Sequence, residues 1–374
     1  KSTEAVNCLI VIRSIEFEMK LSSCVVVLSI VVLVAETRNV TNRIWDGLLG
    51  FPFWSLLRLQ NEVCVTLSNI TSTCYTSREC TERGGFAEGI CARGFGVCCL
   101  FRGSCGSSTK ENRSVFIGPG DFQMGVCQYQ VERMSQDICQ LRLEFEDFHL
   151  LDPSKVGTEN DGVCDTDEFV ISDMPGFRLC GVNSGRHMYI HLTPEFRPLT
   201  LNVKSTERFL GRRWMIRVLQ ISCDSPWKAP EGCTQYFVQN SGSVTSFNWQ
   251  PEGAGIQLTK LVVSYCFHAI RNTCGICFRQ CDPAPSVNTW DVSDSEVTDD
   301  GHQGSRCQQN YLSIPCSQGG STFSKSVRCR YDRFCGTKDF GLGPNHQVCS
   351  FIRPFRVFHR TTGFPHAVTT LNRG

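Results

Sequence analysis

The chain has 374 residues, with 37 Lys and Arg against 36 Asp and Glu, a formal net charge of +1. So even a balance excludes nucleic acid or an acidic polymer as a partner held by the whole surface. Its 24 cysteines exclude an ordinary cytosolic setting, where thiols stay reduced and reactive or need metal.

Residues 1–18 precede Met19 and read as a translated leader or gene-model extension without structure of its own. Met19-Lys20 gives a positive start, Val25 to Val34 a short apolar run, and Ala35 a small residue suited to cleavage. Together these make a secretory signal peptide over 19–35. The run is about half what a bilayer-spanning helix needs, and no later segment approaches it. The expectation is a secreted chain that begins near Glu36, with no membrane span. Cys8 and Cys24 fall in this leading stretch; the other 22 cysteines, Cys64 to Cys349, form an even set that fits up to eleven bridges. The sequons at Asn39, Asn69 and Asn112 are candidate glycosylation sites of a secreted product.

Residues 36–63 form a linker or propeptide-like segment. Ile44, Trp45, Leu48, Phe51, Phe53 and Trp54 cluster there around Pro52. They suit packing onto the next domain, or an amphipathic or processed propeptide. Residues 64–104 are a small module dense in cysteine: Cys64, Cys74, Cys80, Cys91 and the adjacent Cys98 and Cys99. So short a piece buries too little apolar area to fold without bridges. The string from Cys74 to Cys80, with Gly94-Phe95-Gly96-Val97-Cys98-Cys99, resembles the clip-type modules of arthropod extracellular proteins, which also end in a vicinal pair after a Gly-rich stretch.

Beyond Cys105 the pattern has period two. Leu141, Leu143 and Phe145 alternate with Arg142, Glu144 and Glu146. Met188, Ile190 and Leu192 alternate with His187, Tyr189 and His191, Leu199, Leu201 and Val203 with polar residues, and Trp214, Ile216 and Val218 repeat the rhythm. Many short alternating strands predict an all-β sandwich. Cys105-Gly106, Cys127, the Cys139 to Phe148 strand, Cys164 to Ile171, Cys180-Gly181 and Trp214 to Val218 follow in an order that resembles a CUB domain. That resemblance implies a jelly-roll-like sandwich over 105–223, pinned by bridges Cys105–Cys127 and Cys164–Cys180. Cys139 and Cys223 remain and can pair with each other; by parity with Leu141 and Leu143, Cys139 is expected to point into the core. The spacing recurs more loosely over 224–374, where Cys233, Cys266, Cys307 and Cys335 echo the first set and imply Cys233–Cys266 and Cys307–Cys335 in a second CUB-like domain. Gly363-Phe364 resembles its closing strand. Cys316 and Cys329 are expected to pair across a hairpin extension. The partners of Cys64, Cys274, Cys277, Cys281 and Cys349 stay open. The chain resembles, as a whole, the secreted CUB proteins of insects and crustaceans.

Some CUB domains hold calcium, and the resemblance puts Asp167 at one ligand position. Glu111 or Asp121 is the upstream candidate, and Ser205-Thr206 stands where a last Asp belongs. One matched carboxylate is too few for an ion that takes six or more oxygens, so no metal is expected; Asn310 replaces even that acid in the second repeat. Cys274-Gly275-Ile276-Cys277 lacks the matched second pair of a zinc site and the βαβ frame of a redox motif, which favours structural disulfides. His187 and His191 on one strand lie about 13 Å apart, too far to share a metal. No hydrolase, metalloprotease or phosphate-loop motif occurs, so no enzyme and no cofactor is expected. Residues 282–300 carry Asp282, Asp291, Asp294, Glu296, Asp299 and Asp300 without a cation, and Arg353, Arg356 and Arg360 fall in a basic stretch. The function expected is extracellular binding of a protein or glycan through loops such as 152–162 and 282–304. The alternatives are a docking partner, cofactor or inhibitor in a serine-protease cascade, or a structural matrix component.

Overall fold

The computed structural model describes residues 8–12, 61–154, 162–195, 197–250, 255–270, 273–281, 292, 302–319, 331–336 and 347–362. One strand, β1 (Cys8–Ile12), precedes all the others.

The small module is a four-stranded sheet. Its strands are β2 (Val63–Val65), β3 (Thr71–Tyr75), β4 (Phe86–Cys91) and β5 (Gly96–Leu100), in the order β2-β3-β5-β4. The helix α1 (Ser77–Glu82) starts at a capping box, in which the Thr76 hydroxyl accepts from Glu79 N and the Glu79 carboxylate accepts from Thr76 N. Adjacent residues of a strand face opposite ways, so Cys98 and Cys99 reach in two directions, Cys98 to Cys64 on β2 and Cys99 to Cys80 on α1. Cys74–Cys91 closes the third loop. A Cβ on Gly85 would stand 2.3 Å from Cys99 Sγ, so the bridge needs glycine there.

Two five-stranded sheets follow. Their strands are β6 (Arg102–Gly103), β7 (Ser107–Thr109), β8 (Ser114–Ile117), β9 (Gly125–Val131), β10 (Ile138–His149), β11 (Asp167–Ile171), β12 (Arg178–Leu179), β13 (His187–His191), β14 (Leu199–Ser205) and β15 (Arg213–Ser222). The orders are β13-β10-β15-β8-β6 and β12-β11-β14-β9-β7. The sheets face each other through the apolar half of each alternation, with Phe116 stacked on Tyr129 at 4.9 Å and Phe169 edge-on to both Phe145 and Phe148. The fold is a β-sandwich. It holds Cys105–Cys127, Cys164–Cys180 and Cys139–Cys223.

The parity argument for Cys139 fails. The pairing of β10 with β15 slips between Ile138 and Gln140, a bulge that takes Cys139 out of step with Leu141. Cys139 is half-buried, while Gln140 is buried. The alternation also under-reports burial on the outer face, where Val115 is fully buried and Tyr189 and Arg217 nearly so. That face is covered at both ends. Ile70 and Leu100 of the small module pack on Val115, and Ala229, Cys233 and Tyr236 pack with Tyr189 and Ile221.

The last strands are β16 (Gln235–Phe237), β17 (Gly242–Thr245), β18 (Val262–Phe267), β19 (Ile276–Gln280), β20 (His302–Gln303), β21 (Tyr311–Gly319), β22 (Tyr331–Cys335), β23 (Gln347–Ser350) and β24 (Arg356–Arg360). With β1 they form one sheet whose main path is β16-β18-β24-β21-β23-β19-β1-β17. Residues 1–18, expected to be without structure, therefore supply a strand. The reason is local: Cys8-Leu9-Ile10-Val11-Ile12 is a run of strand-forming apolar residues, and β17 and β19 both pair with it. Cys233–Cys266, Cys277–Cys349 and Cys307–Cys335 staple this unit. Cys281 and Cys316 are each disulfide-bonded. Cys329 and Gly363-Phe364 lie outside the described residues.

Candidate functional site

At the sandwich corner where the resemblance puts a single calcium-ligand position, Asp167 opens β11 on its inward parity and is buried. Both carboxylate oxygens are taken by Arg212, whose Nε donates to Oδ2 and whose Nη2 donates to Oδ1, each at 2.8 Å. Leu151 N donates to the same Oδ2 at 2.8 Å. The guanidinium also donates to the carbonyls of Gln123 and Glu207 and lies between the rings of Phe122 and Phe209. A fixed cation thus already neutralises the acid, and the residues do not fit a calcium ion. Of the other candidates, Glu111 accepts from Arg83 at 3.1 Å, Asp121 is exposed, Ser205 Oγ donates to Glu207 O and Thr206 N to Thr166 O. Asn310 accepts from Thr362 N at 2.8 Å. Among the described residues, no group of three or more His, Cys, Asp or Glu side chains is placed to hold a metal.

Cys277 is bonded to Cys349, so Cys274 and Cys277 form no redox pair with each other. The two histidines of β13 serve the seam between the sandwich and the last sheet. His187 Nε2 lies 3.2 Å from the Tyr236 amide and 3.1 Å from its carbonyl; His191 contacts Gln140 and the Cys233 carbonyl. Burial pushes His187 down to about 4 and lowers His191 as well. Sequence reasoning missed the rest of this seam. Arg186 donates to the carbonyls of Ser246, Val182 and Trp249, and burial pushes it down to about 10. Gln140 and Ala229 exchange two hydrogen bonds at 2.7 and 2.9 Å. Asn248 N donates to Asn183 Oδ1, and Asn248 Oδ1 accepts from Val182 N. Gly181 has φ +69° and no room for a Cβ, which would lie 2.0 Å from Asn248 Oδ1.

The loops nominated for recognition are anchored at their feet. Ser154 and Gly162 bond across the base of 152–162, and Thr259 N donates to Gly162 O. Residues 155–161 lie outside the described residues. In 282–304, Val292 is buried and bridges Gly336 in both directions; the six acids of 282–300 lie outside the described residues. Of the arginines, Arg353 donates to Thr273 O and Arg356 to Glu231 O, while Arg360 is exposed. A cavity of about 260 Å3 lies beside β17, lined by Phe237, Gln239, Ser241, Ser243, Val244 and Phe267. Asn69 is exposed at φ 61°, whereas Asn112 Oδ1 accepts from Gln220 N at 2.8 Å; Asn39 lies outside the described residues.

No helix among the described residues is long and apolar enough to cross a membrane. The animal CUB domain family matches residues 230–374, the unit built on β16 to β24. No curated protein matches the chain. A CUB domain is commonly an extracellular protein-interaction module and generally a non-enzymatic one.

Proposed function

We propose that the chain is a secreted, non-enzymatic interaction protein that binds an extracellular protein or glycan through the loops at its sheet ends. The observation that carries this reading is the CUB match over 230–374 on a sheet held by three bridges. Bridged sheets give a rigid, protease-resistant frame, and loops on such a frame are free to vary in sequence and carry recognition. Residues 105–223 are read as a second CUB sandwich, supported by Cys105–Cys127 and Cys164–Cys180. Residues 19–35 are read as its signal peptide, and Asn69 as its glycan site.

The test is affinity capture from extracellular fluid with the full mature chain, followed by mass spectrometry. Parallel captures use substitutions in 152–162 and 282–304, and Arg360→Glu. A partner lost with the loop variants and retained in high salt supports the reading. A partner lost only with Arg360→Glu and released by salt moves the site to the basic strand.

A second reading, a docking partner or inhibitor of a serine-protease cascade, is favoured by the module that ends on Cys98-Cys99. Its three bridges and arthropod clip-type resemblance fit such a role. Pull-down with an active serine protease separates the two readings.

A further inference from the structure

We propose that the gap between β17 and β19 is a receptor for an extended apolar strand supplied by a partner protein. The inference rests on the secreted reading, in which residues up to about 35 are removed. That removal takes β1 with it. β1 is antiparallel to both neighbours, with Leu9 opposite Val244 and Gln280, Ile10 opposite Ser243 and Arg279, and Val11 opposite Gly242 and Phe278. Among the described residues, β17 pairs with no strand other than β1. Without it, β17 and β19 stand one strand apart, about 9.6 Å, with two rows of peptide groups facing the gap. They run parallel to each other, so what fits between them is a strand antiparallel to both.

The occupant's chemistry follows from the register. Val244 and Phe278 are buried core residues, and the positions opposite them, two residues apart, call for apolar side chains. The intervening position lies opposite Ser243, which is exposed, and Arg279, which is half-buried; it tolerates a polar or acidic residue. The chain's own occupant is apolar throughout and has no proline. A partner segment with two β-branched or aliphatic residues at i and i+2 and no proline meets the same requirements. Main-chain hydrogen bonds supply affinity in this mode, and the alternate side chains supply specificity.

The experiment uses the mature secreted chain. N-terminal sequencing comes first, with a start beyond residue 35 expected. A fluorescein-labelled peptide of residues 6–14 with Cys8→Ser is then titrated and followed by anisotropy. Saturable one-to-one binding is expected, reduced at least tenfold by Ile10→Pro, which removes a ladder donor, and by Leu9→Asp with Val11→Asp. Absence of saturable binding, or binding indifferent to those changes, overturns the proposal. So does a secreted chain that keeps residues 8–12, since the gap is then filled by the chain itself. That result leaves the extracellular-binding reading intact, whereas a chain that is never exported defeats that reading instead.

Discussion

The Asp167–Arg212 pair shows how one buried cation decides what a corner of the sandwich can do. Both side chains are withdrawn from water, and an ion pair so placed is retained only because each group satisfies the other. Arg212→Met leaves a buried carboxylate without its partner and should cost about 3–5 kcal/mol in urea unfolding. Asp167→Asn together with Arg212→Met should recover much of that loss, because no charge is left stranded. Millimolar calcium against chelator should leave the melting temperature of the native chain unchanged; a clear rise with calcium would mean that the ion displaces the guanidinium. The two described sequons also differ at this scale. Asn69 is exposed, and on the proposed reading of a secreted glycoprotein Asn69→Gln should lower the mass of the protein by one glycan. Asn112 caps the Gln220 amide, so Asn112→Ala should lower stability by about 1 kcal/mol, read in the same urea titration.

At the scale of elements, local periodicity was legible and coverage was not. The strands β10, β14 and β15 follow from alternation alone, because which side faces the opposing sheet is decided within each strand. Val115 and Tyr189 are buried against that rule because separate parts of the chain, the small module and residues 229–236, lie over the outer face. Nothing within those strands encodes what docks on them. Cys139 misled for a different reason: one inserted residue reverses parity, and a bulge leaves no composition signal. The site was half legible. The sequence marks Asp167 only as a single matched carboxylate, too few for calcium, and only the fold brings Arg212, 45 positions on, to its side. In the small module, three bridges link strands of three to six residues and one six-residue helix. Cys80→Ser with Cys99→Ser should therefore cost about 2–5 kcal/mol and should open this module first, seen as early loss of amide protection over 71–100 in hydrogen exchange while β10 and β15 stay protected.

Across the whole molecule, the sandwich and the last sheet share one contiguous core, in which Phe247 packs edge-on to Phe145 and Phe177. A polar seam runs beside that core, and its groups are held in one protonation state. His187, at the seam, and His359, against Gln257, are both pushed down to about 4 by burial. The Arg142 guanidinium adds to the effect on His187. A histidine whose folded pKa lies below its unfolded value near 6.5 binds its proton in the unfolded chain first. Its contribution is therefore complete above about pH 6.5 and is lost as the pH falls toward 4. A depression of that size is worth about 3 kcal/mol per group at most. Stability from urea unfolding should accordingly fall between pH 6.5 and 4, beyond what the carboxylates lose below that range. His187→Gln keeps an acceptor for the Tyr236 amide and carries no titration, so it should flatten part of the decline, the rest staying with His359, His191 and His149, while leaving stability at pH 7.5 within about 1 kcal/mol. If the slope between pH 6.5 and 4 is the same in the variant, the seam is not what couples the two units to pH.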